Sequence, residues 1–142
     1  GTFAVTYSDG VADVDLQREL AFHREHGGLA TITTVRPLSP WGEARLTDDG
    51  RVEGFAEKPR IENWINGGFM FFEEGALDFI GGADVLEQRP LENLAAAGEL
   101  HAWRHDGFWD CMDTFKDALE LNELCADGTP PWLAASGNEV GR

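Results

Sequence analysis

The chain has 142 residues, 42% of them hydrophobic and 26% charged, a composition that argues against intrinsic disorder and allows one domain with a substantial core. Eleven basic and 26 acidic residues give a formal net charge of −15, which disfavours nucleic acid and anionic membranes as partners. No apolar run approaches the ~18 residues that cross a bilayer, and no signal peptide is visible, so we expect a cytoplasmic protein.

The first third of the chain predicts a strand, a helix and a second strand. Residues 3–7 are apolar and β-prone, and Ser8-Asp9-Gly10 ends this run as a turn. Residues 29–35 form a similar β-rich run. This order, with short connections, predicts a parallel α/β sheet, and the absence of a linker predicts a single domain over residues 1–142. The chain also begins at Gly1 in a strand-like run, so we expect that an amino-terminal portion is missing.

A helix is expected between these two strands. Asp13 is placed to cap its start, and Gly27-Gly28 is placed to end it. Leu16 and Leu20 share one helical face, with Phe22 beside them, and we expect this face to be buried.

The rest of the chain predicts a hairpin, further strands and further helices. Asp48-Asp49-Gly50 is a hairpin turn signal between two short β-prone runs, and residues 64–72 form a very apolar strand. Thr114 is predicted to start a helix, with Asp117 placed for a capping box. The other expected elements are helices over residues 75–80 and 90–97, a strand over 100–105, inward-facing Phe115, Ala118 and Leu119, and a surface tail after Thr129-Pro130-Pro131. Cys111 and Cys125 form no C-x-x-C pair, so we expect free thiols.

Two distant acids could bind a metal ion. Asp9-Gly10 follows the first strand, and ligands bind at the carboxyl ends of strands in open α/β sheets. Asp113 could face Asp9 across the sheet. Mg²⁺ commonly takes one or two carboxylates and fills its shell with water and phosphate oxygens, so two acids would suffice. A plain Asp-Gly turn and a helix-start acid are the alternative interpretations.

Two further motifs could contact a ligand. Glu57-Lys58-Pro59 ends the second hairpin arm, where the glutamate could accept hydrogen bonds from hydroxyls and the lysine could attract a phosphate. A solvated salt pair is the alternative. Asn66-Gly67-Gly68 interrupts an apolar strand, which indicates either a β-bulge or a ligand against bare backbone. We interpret His23 and His26 as structural, with charged rings that complement a helix end, rather than as a metal pair.

Taken in order, these motifs resemble the glucose-1-phosphate cytidylyltransferase family of sugar-1-phosphate nucleotidyltransferases. The stretches that carry the resemblance are VTYSDGVADVDL, ATITTVRP, WGEARL, FAEKP, WINGGFMFF and LENLAAAGELHAWRHDGFWDCMDT. The resemblance extends nearly without a gap from Phe3 to about Trp132. It implies a nucleotidyltransferase fold, with a mixed, mostly parallel sheet flanked by helices. It also implies transfer from CTP to α-D-glucose 1-phosphate, giving CDP-glucose and pyrophosphate for deoxysugar and surface-polysaccharide synthesis, by a homo-oligomer.

The resemblance also implies roles for individual residues. By position, Asp9 and Asp113 match the two Mg²⁺-binding acids, and Lys58 matches the contact to the sugar phosphate. Lys58 and Asp113 are therefore the predicted catalytic residues. The remaining predicted substrate contacts are Gly10, the Glu57 carboxylate and the wall around the sugar, which is formed by Gly42, Asn66, Gly67 and Gly68.

Three residues and one segment depart from the family pattern. Ser8 stands where the family more often has glycine, Trp41 replaces a phenylalanine or tyrosine, and Asp110 is expected to add negative charge close to Asp113. Nothing matches the family's G-x-G-T-R loop and its following lysine, which implies an amino-terminally truncated chain with the sugar half of the site. A thymidylyl-, uridylyl- or guanylyltransferase, a non-catalytic sugar-phosphate-binding module and an acidic α/β domain without a ligand are the alternatives.

Overall fold

A computed structural model describes residues 1–134, which form one mixed four-stranded sheet and two small two-stranded ladders. The strands in chain order are β1 (Thr2–Thr6), β2 (Gly10–Ala12), β3 (Ala30–Val35), β4 (Glu43–Leu46), β5 (Val52–Ala56), β6 (Ile65–Glu73), β7 (Leu100–Arg104) and β8 (Trp109–Cys111). The main sheet has the spatial order β1-β6-β3-β7. The predicted strands are therefore present, within a residue or two at their ends.

Three of the four strands in the main sheet run in the same direction. β6 pairs antiparallel with both β1 and β3, whereas β3 and β7 pair in parallel. β1, β3 and β7 therefore share one direction and β6 is reversed, which confirms the predicted mixed, mostly parallel sheet. β3 is central, and five of its six residues are buried. Its sequence ATITTV suits this position, since β-branched side chains pack well on a sheet with both faces covered.

One of the two small ladders was predicted from the sequence, and the other was not. β4 and β5 form the predicted hairpin, and Gly50 in its turn has a φ of +85°. β2 pairs antiparallel with β8, with Gly10 opposite Cys111. This second ladder joins residues about a hundred positions apart, and no local pattern predicted it.

Four α-helices and a 3₁₀ helix accompany the strands within residues 1–134. They are α1 (Leu16–His26), the 3₁₀ helix (Glu74–Phe79), α2 (Arg89–Ala96), α3 (Phe115–Ala126) and α4 (Pro131–Ala134). The predicted capping box at Thr114 is present, since its hydroxyl accepts a hydrogen bond from the Asp117 amide and the Asp117 carboxylate accepts one from the Thr114 amide. α4 occupies the place of the predicted tail. Residues 135–142 of the predicted domain lie outside the described residues.

The core lies between the sheet and the elements that follow β6. Its buried members are Ala30, Met70, Phe72, Ala76, Leu91 and Leu94, from β3, β6, the 3₁₀ helix and α2. Phe3 of β1 stacks on Phe72 with ring centroids 5.7 Å apart. Through Met70 and Phe72, β6 therefore packs the main sheet against the 3₁₀ helix and α2.

The prediction for the start and the buried face of α1 was wrong. Asp15 caps the helix, and its carboxylate accepts hydrogen bonds from the Gln17 and Arg18 amides. Asp13 lies further from the helix start, its amide bonds to the Phe108 carbonyl, and its carboxylate lies 2.9 Å from the His105 Nε2. Leu16 is 45% exposed, and the buried residues of the helix are Glu19 and His23. The reason lies in the sheet, where α1 meets threonine hydroxyls of β3 rather than an apolar surface.

The expected inward face of α3 was also wrong. Phe115 is 80% exposed and Leu119 is 47% exposed, whereas Leu121 is the buried residue of this helix. No element among residues 1–134 packs over the Phe115 side of α3. Helical periodicity therefore identified an apolar face that is not buried against the rest of the described structure.

The histidines of α1 are structural, as expected, but the predicted positive charge was wrong. The His23 Nδ1 and the His26 Nε2 lie 2.8 and 2.6 Å from the Thr31 hydroxyl. Burial is the main cause that lowers the pKa of both rings, so they favour the neutral form. Both cysteines are free thiols, as predicted. In the described part of the chain, every helix is too short or too polar to cross a membrane.

Candidate active site

The chain segments that carry the predicted site residues leave or enter the main sheet at one edge. Tyr7 follows β1, and Tyr7 donates its amide to the Gly68 carbonyl near the start of the reversed strand β6. Residues 36–42 follow β3, and residues 105–108 link β7 to β8. This edge therefore collects the carboxyl ends of the three co-directional strands, which is where open α/β sheets bind ligands.

The β2–β8 ladder brings the two predicted metal acids to the same end. Asp9 directly precedes β2, and its carbonyl accepts a hydrogen bond of 2.8 Å from the Met112 amide. Asp113 follows one residue later, and its carboxylate lies 3.4 Å from the Cys111 thiol, which donates to it. Burial first, and then Asp113, Asp110 and Asp9, raise the pKa of Cys111 to about 12. The negative charges of Asp9 and Asp113 thus both contribute to the raised pKa of the Cys111 thiol.

This pair of acids fits a hard, oxygen-seeking cation. Asp9 and Asp113 are exposed, so water and phosphate oxygens could complete a coordination shell around an ion that both hold. A dense cluster is absent, because no group of three or more His, Cys, Asp or Glu side chains within residues 1–134 could hold a metal ion. Mg²⁺ does not need such a cluster. The magnesium assignment stays a prediction.

The Asn66-Gly67-Gly68 segment is held by protein contacts on several sides. The Asn66 amide oxygen accepts a hydrogen bond of 2.9 Å from the Gly68 amide, and its nitrogen donates to the Tyr7 hydroxyl at 3.2 Å. The Trp109 indole donates to the Gly67 carbonyl at 2.8 Å. Gly68 has a φ of +83°, and a Cβ there would lie 2.8 Å from the Tyr7 ring. The segment is an irregular part of the sheet next to Gly10, where an added Cβ would lie 3.9 Å from the Gly67 carbonyl oxygen.

The hairpin carries the other predicted contacts. Glu57, Lys58 and Gly42 are exposed, and a Cβ on Gly42 would lie 2.8 Å from a Glu57 carboxylate oxygen and 2.5 Å from the Phe55 ring. Lys58 has a φ of +46°, which is a strained backbone conformation for a residue with a side chain. Within residues 1–134 its ammonium makes no hydrogen bond or ion pair, so it is available to a ligand and is not joined to Asp9 or Asp113.

The base of the hairpin is tied to the same edge of the sheet. The Ser39 amide donates to the Pro59 carbonyl at 2.7 Å, and the Ile61 amide donates to the Pro37 carbonyl at 3.0 Å. These bonds join the segment that leaves β3 to the segment that follows Lys58. The hairpin therefore begins and ends at the edge that carries Asp9 and Asp113.

Asp110 adjoins Cys111, whose thiol contacts Asp113, and the Asp110 carboxylate accepts a hydrogen bond of 2.8 Å from the Cys111 amide. Burial is the main cause that raises its pKa, and Asp117 and Glu120 add to the effect. Its side chain lines a cavity of about 480 Å³, and alternation along β8 places Cys111 on the other face. The cavity lies between the segment after β3 and the start of α3, and among its other lining residues are Arg36, Arg60, Phe108 and Lys116. None of the predicted site residues lines this cavity.

Two aromatic residues at the site were missed as contacts. Tyr7 bonds to the Asn66–Gly68 segment through both its hydroxyl and its backbone amide, and Trp109 bonds to it through its indole N–H. The available signal was the polar group on each ring, since the hydroxyl of a buried tyrosine and the N–H of a buried tryptophan usually find a hydrogen-bond partner. Glu87, which accepts a hydrogen bond from the Tyr7 hydroxyl, had no signal in the sequence.

Comparison with known proteins gives a family and several relatives. The family model described as Nucleotidyl transferase matches residues 1–120. A glucose-1-phosphate cytidylyltransferase of Salmonella typhi is 42% identical over 132 residues, which is 92% of this chain and 51% of that protein. The mannose-1-phosphate guanylyltransferase 1 of Arabidopsis thaliana is 36% identical over 149 residues, which is 98% of this chain and 41% of that protein.

A solved structure supports the same fold. HddC from Yersinia pseudotuberculosis superposes with a TM-score of 0.59 at 17% identity, over 86% of this chain and 54% of that one. At this identity the likeness concerns the fold alone. The chain spans about half the length of the curated cytidylyltransferases that it matches.

Proposed function

Because the chain belongs to the nucleotidyl transferase family, we propose that its protein transfers a cytidylyl group from CTP to α-D-glucose 1-phosphate. The products are CDP-glucose and pyrophosphate. The observation that carries this proposal is the backbone pairing of β2 with β8, extended by the bond from the Met112 amide to the Asp9 carbonyl, which brings the chain at Asp9 next to the chain at Asp113. The identity to cytidylyltransferases over 92% of the chain supports the choice of nucleotide and sugar.

The reaction needs positioning and charge neutralisation more than a strong base. An oxygen of the sugar phosphate attacks the α-phosphorus of CTP, the bond from that phosphorus to the bridging oxygen breaks, and pyrophosphate leaves in line. The nucleophile is already anionic, so no proton has to be removed from it. The net charge of −15 makes local cations necessary, because it otherwise repels both substrates.

Each predicted residue has one task in this proposal. Asp9 and Asp113 hold Mg²⁺, whose charge offsets that of the phosphates when it is bound. The Lys58 ammonium holds the sugar phosphate, and the Glu57 carboxylate accepts hydrogen bonds from sugar hydroxyls. Gly42 leaves room beside Glu57, because any side chain there would collide with it.

Binding and turnover can be measured separately on this chain. We expect calorimetry to detect glucose 1-phosphate binding in the presence of Mg²⁺, and a pyrophosphate assay with CTP then reports on the transfer. Binding without pyrophosphate release would favour a sugar-phosphate-binding module. A chain that melts cooperatively and binds no sugar phosphate would contradict the proposal and favour an acidic domain without this ligand.

Lys58 provides the sharpest residue-level test. Lys58→Ala should lower the affinity for glucose 1-phosphate, or the transfer rate where it is measurable, by roughly 10²-fold, because one phosphate contact in a preorganised site is lost. Lys116→Ala removes the same charge from α3, where Lys116 pairs with Glu120, and should change binding less than twofold. Equal effects of the two substitutions would mean that only the net charge matters.

The choice of nucleotide is the part of the proposal that has a specific alternative. The guanylyltransferase relative matches 98% of this chain, so GTP with mannose 1-phosphate is the second candidate pair. A panel of CTP, dTTP, UTP and GTP against both sugar phosphates decides between them, and we expect CTP with glucose 1-phosphate to give the highest kcat/KM. A cytoplasmic homo-oligomer that supplies deoxysugar and surface-polysaccharide synthesis is part of the same proposal.

A further inference from the structure

Tyr7 connects the Asn66–Gly68 segment to the loop before α2. Its amide donates to the Gly68 carbonyl at 3.0 Å, and its ring packs against the glycine, where a side chain would not fit. Its hydroxyl donates to the Glu87 carboxylate and accepts a hydrogen bond of 3.2 Å from the Asn66 amide nitrogen. Tyr7 is half-buried, whereas Glu87 is exposed.

These hydrogen bonds have one consistent direction. The Gly68 amide can only donate, so it requires the oxygen of the Asn66 side chain, and the nitrogen of that side chain then faces Tyr7. A carboxylate can only accept, so Glu87 takes the hydroxyl proton and leaves the oxygen of Tyr7 as an acceptor for Asn66.

Little of the Asn66–Gly68 segment is left free. Protein groups occupy the Gly67 and Gly68 carbonyls, the Gly68 amide and the Asn66 oxygen. The Asn66 side-chain nitrogen has two hydrogens, and Tyr7 accepts one of them. No group among residues 1–134 accepts the second hydrogen, so it remains for a ligand, and its direction is set by the Tyr7 and Gly68 bonds.

We propose that Tyr7 and Glu87 are positioning residues, which aim the free N–H of Asn66 at the bound sugar phosphate without touching it themselves. The inference rests on the proposed function, since it assigns the ligand of that same site. Glu87 polarises the Tyr7 hydroxyl, Tyr7 orients Asn66, and Asn66 fixes the turn at Gly68.

The test uses the full chain, with affinity for glucose 1-phosphate measured by calorimetry in the presence of Mg²⁺. Tyr7→Phe keeps the ring and removes the hydroxyl, so we expect roughly tenfold weaker binding. Glu87→Ala should weaken binding several-fold, whereas Glu87→Gln keeps an acceptor and should restore most of the affinity. The double substitution Tyr7→Phe with Glu87→Ala should cost no more than Tyr7→Phe alone, because both act on one chain of hydrogen bonds.

A structural control and a spectroscopic readout separate positioning from a loss of stability. Phe3 lies on β1, the strand that ends just before Tyr7, and Phe3→Leu weakens the stacking on Phe72, so it should lower the melting temperature and leave binding within twofold. Tyr7→Phe should shift the ¹⁵N and ¹H resonances of the Asn66 side-chain amide and speed hydrogen exchange at Gly68, whereas Phe3→Leu should not.

Either of two results would overturn the inference while leaving the proposed function intact. In the first, the wild-type chain binds glucose 1-phosphate and Tyr7→Phe binds it with an affinity within twofold of wild type. In the second, the Asn66 side-chain amide resonances do not move in Tyr7→Phe. Absence of binding by the folded wild-type chain would instead overturn the proposed function, and the sugar-phosphate role of Tyr7 with it. The resonance measurement still reports in that case whether Tyr7 orients Asn66.

Discussion

At the scale of single residues, Glu19 is the carboxyl group in the least expected place. It lies on α1, is fully buried, and accepts a hydrogen bond of 2.7 Å from the Thr33 hydroxyl. Its second oxygen has no partner within residues 1–134. Burial raises the pKa of Glu19 to about 7, so the carboxyl is protonated in mildly acid solution and becomes a costly buried charge above neutrality.

This raised pKa predicts a pH-dependent contribution to stability. Because the folded pKa exceeds the unfolded one, the contribution of Glu19 is fully present below about pH 4.5 and is lost as the pH rises through about 7. Glu19→Gln should therefore gain free energy of unfolding relative to wild type between pH 5 and pH 8, by roughly 1–3 kcal/mol at the upper end. Urea unfolding at several pH values measures this difference. Glu25→Gln, at an exposed position of the same helix, should show no such trend.

The same residue shows why the buried face of α1 escaped prediction. Helical periodicity pointed to Leu16 and Leu20, because apolar spacing is the usual sign of a buried face. In the structure Glu19 and His23 are buried, since β3 presents the Thr31 and Thr33 hydroxyls to the helix. A sequence pattern carries no information on which surface a helix will meet, so a polar interface between two elements was beyond its reach.

At the scale of elements, α1 is joined to β3 through one shared hydroxyl. The His26 Nδ1 accepts a hydrogen bond from the Gly28 amide, so its Nε2 carries the proton and donates to the Thr31 oxygen. Thr31 can then donate to the His23 Nδ1, which leaves the His23 Nε2 proton facing the Glu73 carboxylate at 3.4 Å. This arrangement requires both rings to be neutral.

Removal of that hydroxyl should loosen the helix from the sheet. Thr31→Val keeps the size of a buried side chain and leaves two ring nitrogens without a partner, so we expect a loss of about 1–3 kcal/mol in the free energy of unfolding. Thr6→Val, at an exposed position of β1, serves as the matched control and should change stability by less than about 0.5 kcal/mol. Equal losses in the two variants would show that the shared hydroxyl contributes nothing.

The neutral rings also predict a pH effect opposite to that of Glu19. Since the folded pKa values of His23 and His26 are lowered, their contribution to stability is present above about pH 6.5 and is lost as the pH falls. NMR titration of the ring carbon protons should give midpoints below 6.5 for both residues in the folded chain, and ordinary midpoints in urea. Midpoints at or above 6.5 in the folded chain would contradict the hydrogen-bond scheme.

Elements with a local signal were predictable, and those that depend on distant pairing were not. Asp48-Asp49-Gly50 specifies its hairpin and Thr114 its capping box, because each is decided by neighbours along the chain. The β2–β8 ladder has three residues on each side and joins Gly10 to Cys111. Such short strands have no periodicity to detect, so the ladder that brings the chain at Asp9 next to the chain at Asp113 could not be predicted from a local pattern.

At the scale of the whole molecule, the net charge of −15 complicates every experiment with divalent cations. Any added salt screens repulsion among the acidic side chains and can raise stability without a specific site. A specific ion between Asp9 and Asp113 adds a second contribution, since a ligand that binds only the folded state stabilises it by RT ln(1 + [L]/Kd). The two contributions differ in their dependence on individual residues.

Melting temperatures at constant ionic strength can distinguish these contributions. At Mg²⁺ concentrations about ten times Kd, specific binding contributes about 1.4 kcal/mol, or about 3–5 °C for a domain of this size. We expect this rise for the wild-type chain when MgCl₂ replaces NaCl, and its loss in Asp113→Asn. Asp48→Asn removes the same charge from the exposed hairpin turn and should keep the rise. A rise that survives in Asp113→Asn would place the ion elsewhere, and the shared end of the β2–β8 ladder would then lose its assignment as the magnesium site.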